Sequence, residues 1–435
     1  MSVLRLAYRL LSEHESGGKF VNLLISSPAT RALSQDERSK LTALLYTAVE
    51  KKLTYDYYIS ALSKRPLSEI SETARNILRL GLCQICDISS IPDFAAVNET
   101  VKLAADPAER SFVNAVLRAA VRQKEALPLP DKEKNYARYL GVKYSYPLWM
   151  VKRLYKQLGE ETEELLQAMN KRPPLTLAVN TGRISREEYL ARLRSAGIDA
   201  VPTKYSPFGI RAYGVQGPKN LPGFDTGLMY VQDEASQLAA LALEAKPGER
   251  VIDVCAAPGG KSLAAAIATG DNAEIFAFDV SQGKIPLIEE SIARLGIKSV
   301  RAECLDARTP KEELFGTADR VICDVPCSGL GVIPKKPDLR YKNEEDVLRL
   351  PALSLEILEA SLKYLKDGGT AVFSTCTVLD EENRAVFLEL LSRHPELSAV
   401  DFSLGALKSE GGMLTLMPHR EGTDGFFIAK MRKNK

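Results

Sequence analysis

The chain has 435 residues, of which 45% are hydrophobic and 26% are charged, and its formal net charge is +2 at pH 7. This composition is typical of a globular protein, and it excludes long disorder and any run of about 18 apolar residues that could cross a membrane. Because a single hydrophobic core stops growing at roughly 250–300 residues, the length predicts two or three domains.

Residues 1–140 show the spacing of amphipathic helices and no alternating strand pattern. Leu41, Leu44 and Leu45, for example, lie at helical intervals. Closely spaced prolines in residues 127–131 would stop a helix and begin a linker. We therefore predict an all-α N-terminal domain over residues 1–140.

Residues 141–230 combine helical and strand-like patterns. An amphipathic stretch at 149–166 precedes a strand-like run at 175–179 and a helix at 185–196. Tyr146 and Trp149 could stack on a base, but rings beside an amphipathic helix are more often core residues. We predict a small α+β module that links the flanking domains.

From residue 231 onward, short apolar runs alternate with helical segments. The predicted strands are 251–254, 275–279, 300–304, 320–324 and 370–375, and the predicted helices are 262–269, 284–295 and 347–365. This alternation is typical of a Rossmann-like α/β domain with a mostly parallel sheet. Two further runs, 413–417 and 425–431, predict a closing hairpin.

The segment 251–262 predicts a strand, a turn of small residues and the start of a helix. Gly259 and Gly260 allow close backbone approach, and the helix start offers unpaired N–H groups to an anion. The turn is not G-x-G-x-x-G, so a dinucleotide and a nicotinamide-dependent oxidoreductase are disfavoured. An amino-acid carboxylate fits better, and we expect S-adenosylmethionine. A plain tight turn is the alternative.

Two acidic residues support the cofactor interpretation. Asp279 ends the second predicted strand, where a carboxylate can accept hydrogen bonds from a ribose diol. Asp306 follows the third strand and could receive an adenine amino group. Carboxylates after successive strands make a purely structural turn a weaker explanation.

Two cysteines follow later strands of the same sheet. Cys327 lies in Asp-Val-Pro-Cys-Ser-Gly, and Cys376 follows Ser-Thr. Both should open onto the edge that carries the cofactor loop, where a thiolate can act as a nucleophile. Methylation of pyrimidine C5 needs such a thiolate, because C5 becomes nucleophilic only after addition at C6. Asp324 could stabilise the adduct at N3 of cytosine.

The other five cysteines have simpler interpretations. Cys255, Cys304 and Cys323 lie in or beside apolar strands and are expected to be core residues, although the backbone of Cys255 could line the cofactor. Cys83 and Cys86 form a single C-x-x-C without a partner pair, so we expect no metal site. Seven cysteines without a secretory pattern favour reduced thiols and a cytoplasmic protein.

These motifs resemble those of the RNA m5C methyltransferases of the NOL1/NOP2/Sun family over residues 230–431. The resemblance implies that Cys376 is the nucleophile and that Cys327 assists product release. Lys261 is expected to contact the cofactor or the reacting base. The cofactor contacts that the resemblance implies are Cys255, Ala256, Ala257, Pro258, Gly259, Gly260, Lys261, Asp279, Asp306 and Asp324.

The front of the chain resembles the NusB-type RNA-binding domain. The matching segments are 74–81, 96–99 and 112–118. A NusB-like front joined to this catalytic domain is similar to the bacterial 16S rRNA methyltransferases of the family. The resemblance implies 16S rRNA as the partner, in unassembled or early small-subunit form, and we expect a monomer without metal or membrane partners.

A basic segment follows the Cys327 motif and departs from the family pattern. Lys335, Lys336 and Arg340 keep positive charge there, so we expect contacts with RNA phosphates, while a solvated basic loop is the alternative. A helix predicted at 380–391 begins with Asp380, Glu381 and Glu382, which suit a helix N-terminus and need no functional role.

Other functions stay open at this stage. A tRNA m5C methyltransferase would carry the same catalytic residues, and a non-catalytic RNA-binding factor of the antitermination type would carry the same front end. Intact Cys376, Cys327 and Asp324 favour an enzyme. The small net charge also conceals a division along the chain, because residues 1–140 carry +4, residues 141–230 carry +5 and residues 231–435 carry −7. We therefore expect the front modules to supply the long-range attraction to RNA.

Overall fold

The computed structural model describes residues 2–215 and 217–435. Their contacts divide the chain into two compact units. The helical unit comprises the described residues up to Asn170 together with Lys335–Lys342, and the sheet unit comprises Lys171–Pro334 together with Asn343–Lys435. The predicted domain boundaries at residues 140 and 230 rest on sequence patterns and stay a prediction.

Every regular element described before Leu175 is helical, which confirms the all-α prediction for the front of the chain. Its α-helices are α1 (Val3–Gly17), α2 (Val21–Ile25), α3 (Gln35–Glu50), α4 (Lys52–Ser63), α5 (Glu72–Asp87), α6 (Asp93–Val101), α7 (Pro107–Arg122), α8 (Tyr136–Tyr144), α9 (Leu148–Leu158) and α10 (Glu161–Met169). Local signals fix several of their starts. Ser34 and Glu37 form a reciprocal capping box at α3, and Ser71 caps α5.

The core of the helical unit is built around α5. Eleven of the sixteen residues of α5 are buried, including the run from Ile77 to Ile85. Gly81 lets α7 approach closely, because a Cβ at this position would lie 2.6 Å from Cδ2 of Leu117. Buried Arg79 is paired with Asp56 at 2.7 Å and with Glu15 at 3.1 Å, so its charge is compensated.

A short segment from later in the chain completes the helical unit. We call Lys335–Lys342 the strap; it contains a 3₁₀ helix at Pro337–Tyr341. Arg340 is 2% exposed and donates to the carbonyl of Glu50 at 2.8 Å and to Oδ1 of Asn170 at 2.6 Å, while its guanidinium lies 4.4 Å from the ring centroid of Tyr146. The strap is therefore held by buried hydrogen bonds and by ring stacking.

The sheet unit begins with a small antiparallel sheet packed with one helix. Its elements are β1 (Leu175–Val179), α11 (Arg186–Ser195), β2 (Ala200–Pro202), β3 (Gly209–Ala212) and β4 (Met229–Val231), and the strand order is β2-β3-β1-β4. A capping box of Ser185 and Glu188 starts α11. The predicted strand at 175–179 and helix at 185–196 are both present.

The larger sheet carries the remaining predicted strands. The elements of this part are α12 (Glu234–Ala242), β5 (Arg250–Asp253), α13 (Gly260–Ala268), β6 (Glu274–Asp279), α14 (Ile285–Leu295), β7 (Val300–Cys304), β8 (Ala318–Asp324), α15 (Glu344–Leu362), β9 (Leu365–Thr375), α16 (Arg384–Arg393), β10 (Leu397–Ala399), β11 (Ser403–Leu404), β12 (Leu407–Lys408), β13 (Met413–Leu416), α17 (Pro418–Glu421) and β14 (Phe426–Lys433).

The strand order is β10-β14-β9-β8-β5-β6-β7, with β13 also paired to β14. The strands β9, β8, β5, β6 and β7 are mutually parallel, whereas β14 is antiparallel to β9 and to β13. This arrangement confirms the Rossmann-like α/β prediction with its closing hairpin. Because parallel strands end at one edge, the residues that follow β5, β6, β8 and β9 meet there.

Helix boundaries differ from the prediction by up to four residues, and the shifts are largest at α15 and α16. Helix α15 ends at Leu362, since Leu365 already begins β9. Helix α16 begins at Arg384, four residues after the predicted start at Asp380, because the intervening residues form a turn whose side chains bind neighbouring loops. In the described part of the chain, no helix is long and apolar enough to cross a membrane.

Candidate active site

The loop between β5 and α13 lies at the carboxyl edge of the parallel sheet. Hydrogen bonds fix its backbone: Ala256 donates to the carbonyl of Phe278 at 2.7 Å, and Ala257 donates to Oδ2 of Asp279 at 3.1 Å. Gly259 has a φ of 102°, and a Cβ there would lie 3.1 Å from Cγ2 of Ile288. The positive φ therefore favours glycine at this point, and a side chain here would also require Ile288 to shift by a few tenths of an ångström.

Two of the predicted acidic residues follow neighbouring strands beside this loop. Asp279 is 5% exposed, and its Oδ1 accepts from the backbone N–H of Ser281 at 3.0 Å. Asp306 lies two residues beyond β7 and is bonded to the side chain of Arg308, which lowers the pKa of the Asp306 carboxyl. The structure thus brings Asp279 against the loop and leaves Asp306 partly exposed at the next strand.

A buried carboxyl group that the sequence interpretation missed lies beneath the loop. Asp253 ends β5, is 1% exposed and accepts from Oγ of Ser262 at 2.7 Å. Its other oxygen, Oδ1, has no hydrogen-bond partner. Burial raises the pKa of Asp253 to about 7. The signal was its place at the end of an apolar strand, directly before the loop.

Lys261 and Asp324 form a close ion pair. The distance from Nζ of Lys261 to Oδ2 of Asp324 is 2.6 Å, and Ser374 donates its Oγ–H to Oδ1 of Asp324 at 2.6 Å. Lys261 is 6% exposed and lies 5.3 Å from the ring centroid of Phe426. The side chain of Asp324 keeps 33% exposure, so one face of this carboxylate is open.

The two cysteines singled out by the sequence lie side by side. Cys327 comes three residues after β8 and Cys376 directly follows β9, and their Sγ atoms are 3.4 Å apart. The hydrogen bond with Cys376 and burial both raise the pKa of the Cys327 thiol well above its usual value. Both residues are partly exposed at the sheet edge, although the thiol of Cys327 itself is buried.

Four of the remaining five cysteines lie in surroundings that disfavour a thiolate, whereas Cys304 is partly exposed. Burial raises the pKa of Cys255 and raises that of Cys323 to about 12. In the helical unit, burial likewise raises the pKa of Cys83, and it raises that of Cys86 to about 12. Within residues 2–215 and 217–435 the structure holds no group of three His, Cys, Asp or Glu side chains that could bind a metal ion.

The expectation for the basic segment needs one correction. Lys336 is exposed and Lys335 is partly exposed, but Arg340 is 2% exposed and its guanidinium is bonded within the helical unit. A buried guanidinium cannot meet a phosphate on the surface, so the predicted RNA contact of Arg340 is wrong. Contacts by Lys335 and Lys336 stay a prediction.

Glu382 also differs from its interpretation as a residue of a helix N-terminus. It precedes α16 by two residues, is 1% exposed and bonds to Ser328 and Thr377, the residues that follow the two cysteines. No local sequence signal indicates this role, because the partner Ser328 is 54 positions away.

Family models match three parts of the chain. Residues 240–432 match the 16S rRNA methyltransferase RsmB/F family, and residues 1–122 match the NusB family. Residues 146–214 match the ferredoxin-like domain of RsmF/B-like methyltransferases. The three models follow the chain in the order helical front, antiparallel module and parallel sheet.

Curated relatives are similar over nearly the whole chain. The probable ribosomal RNA small subunit methyltransferase B of Bacillus subtilis is 35% identical and covers 99% of this chain and 99% of its own length. The ribosomal RNA small subunit methyltransferase B of Klebsiella pneumoniae is 33% identical over 97% of this chain and 95% of its own length.

Solved structures share the architecture. The crystal structure of PH0851 has a TM-score of 0.81 at 26% identity and covers 100% of this chain and 99% of its own. A methyltransferase homologue from Pyrococcus horikoshii has a TM-score of 0.60 at 29% identity, covering 68% of this chain and 97% of its own.

Proposed function

The chain belongs to the family of bacterial ribosomal RNA small subunit methyltransferase B, and from this premise we propose that it methylates C5 of a cytidine in 16S rRNA with S-adenosylmethionine. The observation that carries the proposal is the 3.4 Å separation of the Sγ atoms of Cys327 and Cys376 beside the loop after β5. Methylation at C5 of a pyrimidine is a methyl transfer that needs a cysteine thiolate to add to C6 of the same ring.

The residues around the loop fit S-adenosylmethionine. Helix α13 begins at Gly260 with N–H groups that suit a carboxylate, and the missing side chains of Gly259 and Gly260 leave room for close approach. The residues that would hold the cofactor are those of the loop from Cys255 to Lys261, together with Asp279, Asp306 and Asp324. When bound, this cofactor supplies an electrophilic methyl group.

In the proposed mechanism, the thiolate of Cys376 adds to C6 of the cytosine ring. The new C–S bond moves electron density to C5, which becomes nucleophilic enough to take the methyl group. Water then takes the C5 proton, the electrons of the C5–H bond restore the C5–C6 double bond, and the C–S bond breaks with its electrons returning to the sulfur. Because a base in a helix cannot be reached this way, the target cytidine must be single-stranded or flipped out.

Asp324 would stabilise the base during this addition. Its position between Lys261 and Ser374 fixes the carboxylate, while its open face can accept hydrogen bonds from the amino group of cytosine and from N3 once N3 is protonated in the adduct. The neighbouring ammonium group of Lys261 gives the carboxylate a fixed orientation. A role of Asp324 toward the cofactor is compatible with the same geometry.

Cys327 would assist release of the product. At 3.4 Å from the proposed nucleophile it can donate its S–H proton to the sulfur of Cys376 as the C–S bond breaks. Its raised pKa means that the group is a thiol near neutral pH.

The test is methyl transfer from labelled S-adenosylmethionine to unmodified 16S rRNA. We expect incorporation by the wild type and its loss, by at least about 10³-fold, in Cys376→Ala, since that variant lacks the nucleophile. Cys327→Ala should instead accumulate a covalent RNA–protein adduct that survives denaturation.

A matched control is Cys86→Ala, a partly covered cysteine in α5 that should leave the reaction unchanged. Equal activity in Cys376→Ala would refute the nucleophile assignment. Methyl transfer to tRNA but not to 16S rRNA would keep the chemistry and overturn the substrate.

A further inference from the structure

The pairing of β8 with β9 ends before it reaches the two cysteines. The last residues in register are Asp324 and Ser374. Beyond them the N–H of Val325 donates to the carbonyl of Ser374, and the N–H of Gly331, four residues after Cys327, donates to the carbonyl of Cys376 at 3.0 Å. Cys327 comes three positions after Asp324, whereas Cys376 comes two positions after Ser374. The backbone ladder therefore does not by itself set the distance between the two sulfur atoms.

A buried carboxylate spans this gap. Oε2 of Glu382 accepts from the backbone N–H of Ser328 at 2.6 Å, and Oε1 accepts from the hydroxyls of Ser328 at 2.5 Å and Thr377 at 3.0 Å. The two hydroxyl oxygens are also 2.7 Å apart. Because Ser328 follows Cys327 and Thr377 follows Cys376, one side chain binds the neighbours of both cysteines.

The network is closed to solvent. Ser328 and Thr377 are 0% exposed and Glu382 is 1% exposed. Next to Glu382, the fully buried Asn383 accepts from Oγ1 of Thr375 at 2.5 Å and donates to the carbonyl of Thr377 at 3.0 Å, so that it binds both neighbours of Cys376. Hydrogen bonds to an ionised group in such surroundings are short and directional, so they fix geometry well.

The same carboxylate acts on the thiols through its charge. The bond with Cys376 and burial are the main causes that raise the pKa of Cys327, and the Coulomb effect of Glu382 raises it further. Loss of the charge at Glu382 would therefore ease ionisation of Cys327, the thiol that should stay protonated while its partner attacks.

We propose that Glu382 is a positioning residue that holds the segments bearing Cys327 and Cys376 at the separation needed for the reaction. The reason for holding the two cysteines together rests on the proposed function. The arrangement itself is a property of the protein and can be tested without RNA or cofactor. Glu382 acts through Ser328 and Thr377, the residues that follow the two cysteines.

The experiment uses the full chain with Glu382→Gln, Glu382→Ala and the control Glu381→Gln. Glu381 is the exposed neighbour, so its substitution removes the same charge outside the network. Alkylation of each cysteine by iodoacetamide is followed against pH by peptide mass spectrometry. We expect the midpoint of Cys327 to fall by on the order of one pH unit in Glu382→Gln and to stay unchanged in Glu381→Gln.

A second measurement reports the distance between the thiols. Phenylarsine oxide binds two thiols only when they lie together, and Cys327→Ala defines its single-thiol background. We expect its affinity to fall at least tenfold in Glu382→Ala and less in Glu382→Gln, which keeps the shape of the side chain. The affinity for S-adenosylmethionine should be retained in both variants. We expect a clear fall in kcat and little change in KM for RNA.

The outcomes separate this inference from the proposed function. An unchanged Cys327 alkylation profile and unchanged arsenical affinity in both variants would overturn the positioning role, whatever happens to thermal stability. Failure of the wild type to methylate RNA would count against the proposed function only, because neither thiol measurement needs RNA. If Glu382→Ala does not fold, the Glu382→Gln profile decides.

Discussion

Asp253 is a carboxyl group at the end of β5 whose surroundings differ strongly from water. It is buried, one oxygen has no hydrogen-bond partner, and burial raises its pKa to about 7. A carboxyl group in this state is neutral at mildly acidic pH and becomes costly once it ionises.

This raised pKa predicts how stability depends on pH. In the unfolded chain an aspartate ionises near pH 4, so the contribution of Asp253 is fully present below that pH and is lost as pH rises through about 7. The loss could reach about 4 kcal/mol, since one unit of pKa corresponds to 1.36 kcal/mol.

Asp253→Asn should remove this dependence. Urea unfolding of the variant and of the wild type is measured at about pH 5, 6, 7 and 8. The free energy of unfolding of the variant should exceed that of the wild type by an amount that grows as pH rises. Parallel curves for the two proteins would show that Asp253 ionises at its ordinary pKa.

Residues at strand ends could be predicted from the sequence, whereas two other side chains could not. Asp279, Asp324 and Cys376 follow recognisable strands, and parallel pairing then brings strand ends to one edge. Arg340 carries no local signal of burial, because its partners Glu50 and Asn170 lie 290 and 170 positions away. A basic residue in a proline-rich segment therefore resembled a surface residue. Glu382 was missed for the same reason, since its partner Ser328 lies 54 positions away.

At the scale of elements, the turn into α13 depends on one glycine. Gly259 combines a positive φ with close contact to Ile288, so an alanine there is strained and crowded. Gly259→Ala should lower S-adenosylmethionine affinity about tenfold and cost about 1–2 kcal/mol of stability. Calorimetric titration and thermal unfolding measure the two effects.

Gly270 offers a matched control at the other end of the same helix. It also has a positive φ, of 63°, but a Cβ there would meet nothing within 4 Å. Gly270→Ala should lose stability by about 1 kcal/mol and keep cofactor affinity. Equal loss of affinity in both variants would mean that general destabilisation, and not the shape of the loop, is responsible.

The strap is the other element whose role can be tested. Arg340→Ala would remove the ring contact and leave the carbonyl of Glu50 and Oδ1 of Asn170 without their donor. We expect the helical unit to lose about 2–4 kcal/mol in urea unfolding, because hydrogen bonds to a buried charge are broken.

Lys336→Ala is the comparison, since this side chain is exposed in the same strap and should change stability by less than about 0.5 kcal/mol. If Arg340→Ala keeps wild-type stability but loses affinity for RNA, the structural role of Arg340 in the helical unit is refuted and a role in RNA binding is favoured.

For the whole molecule, charge is divided along the chain. Residues 1–230 carry +9 and residues 231–435 carry −7. Lys152, Lys156 and Arg172 are exposed basic residues of the front part. Changing all three to Glu should weaken RNA binding and reduce its dependence on salt. The slope of log K against log salt concentration should become less steep by roughly 0.7–0.9 for each phosphate that the protein no longer neutralises.

Reversal of Lys246 and Lys408, which are exposed in residues 231–435, should have a smaller effect on the salt slope. Filter binding at several salt concentrations compares the two sets, with S-adenosylmethionine affinity as the check on folding. Equal slopes for both sets would place the RNA attraction elsewhere.

The strap also has a consequence for the order in which the protein is made. The helical unit is discontinuous in sequence, since the chain leaves it at Asn170 and returns only for Lys335–Lys342. During synthesis, the first 170 residues emerge long before Arg340, so Tyr146 and the carbonyl of Glu50 must wait for their partner while the strands from β1 to β8 are produced. The helical unit is therefore completed only after the strap has been synthesised. A fragment that ends at Asn170 lacks the strap and so lacks part of the helical unit.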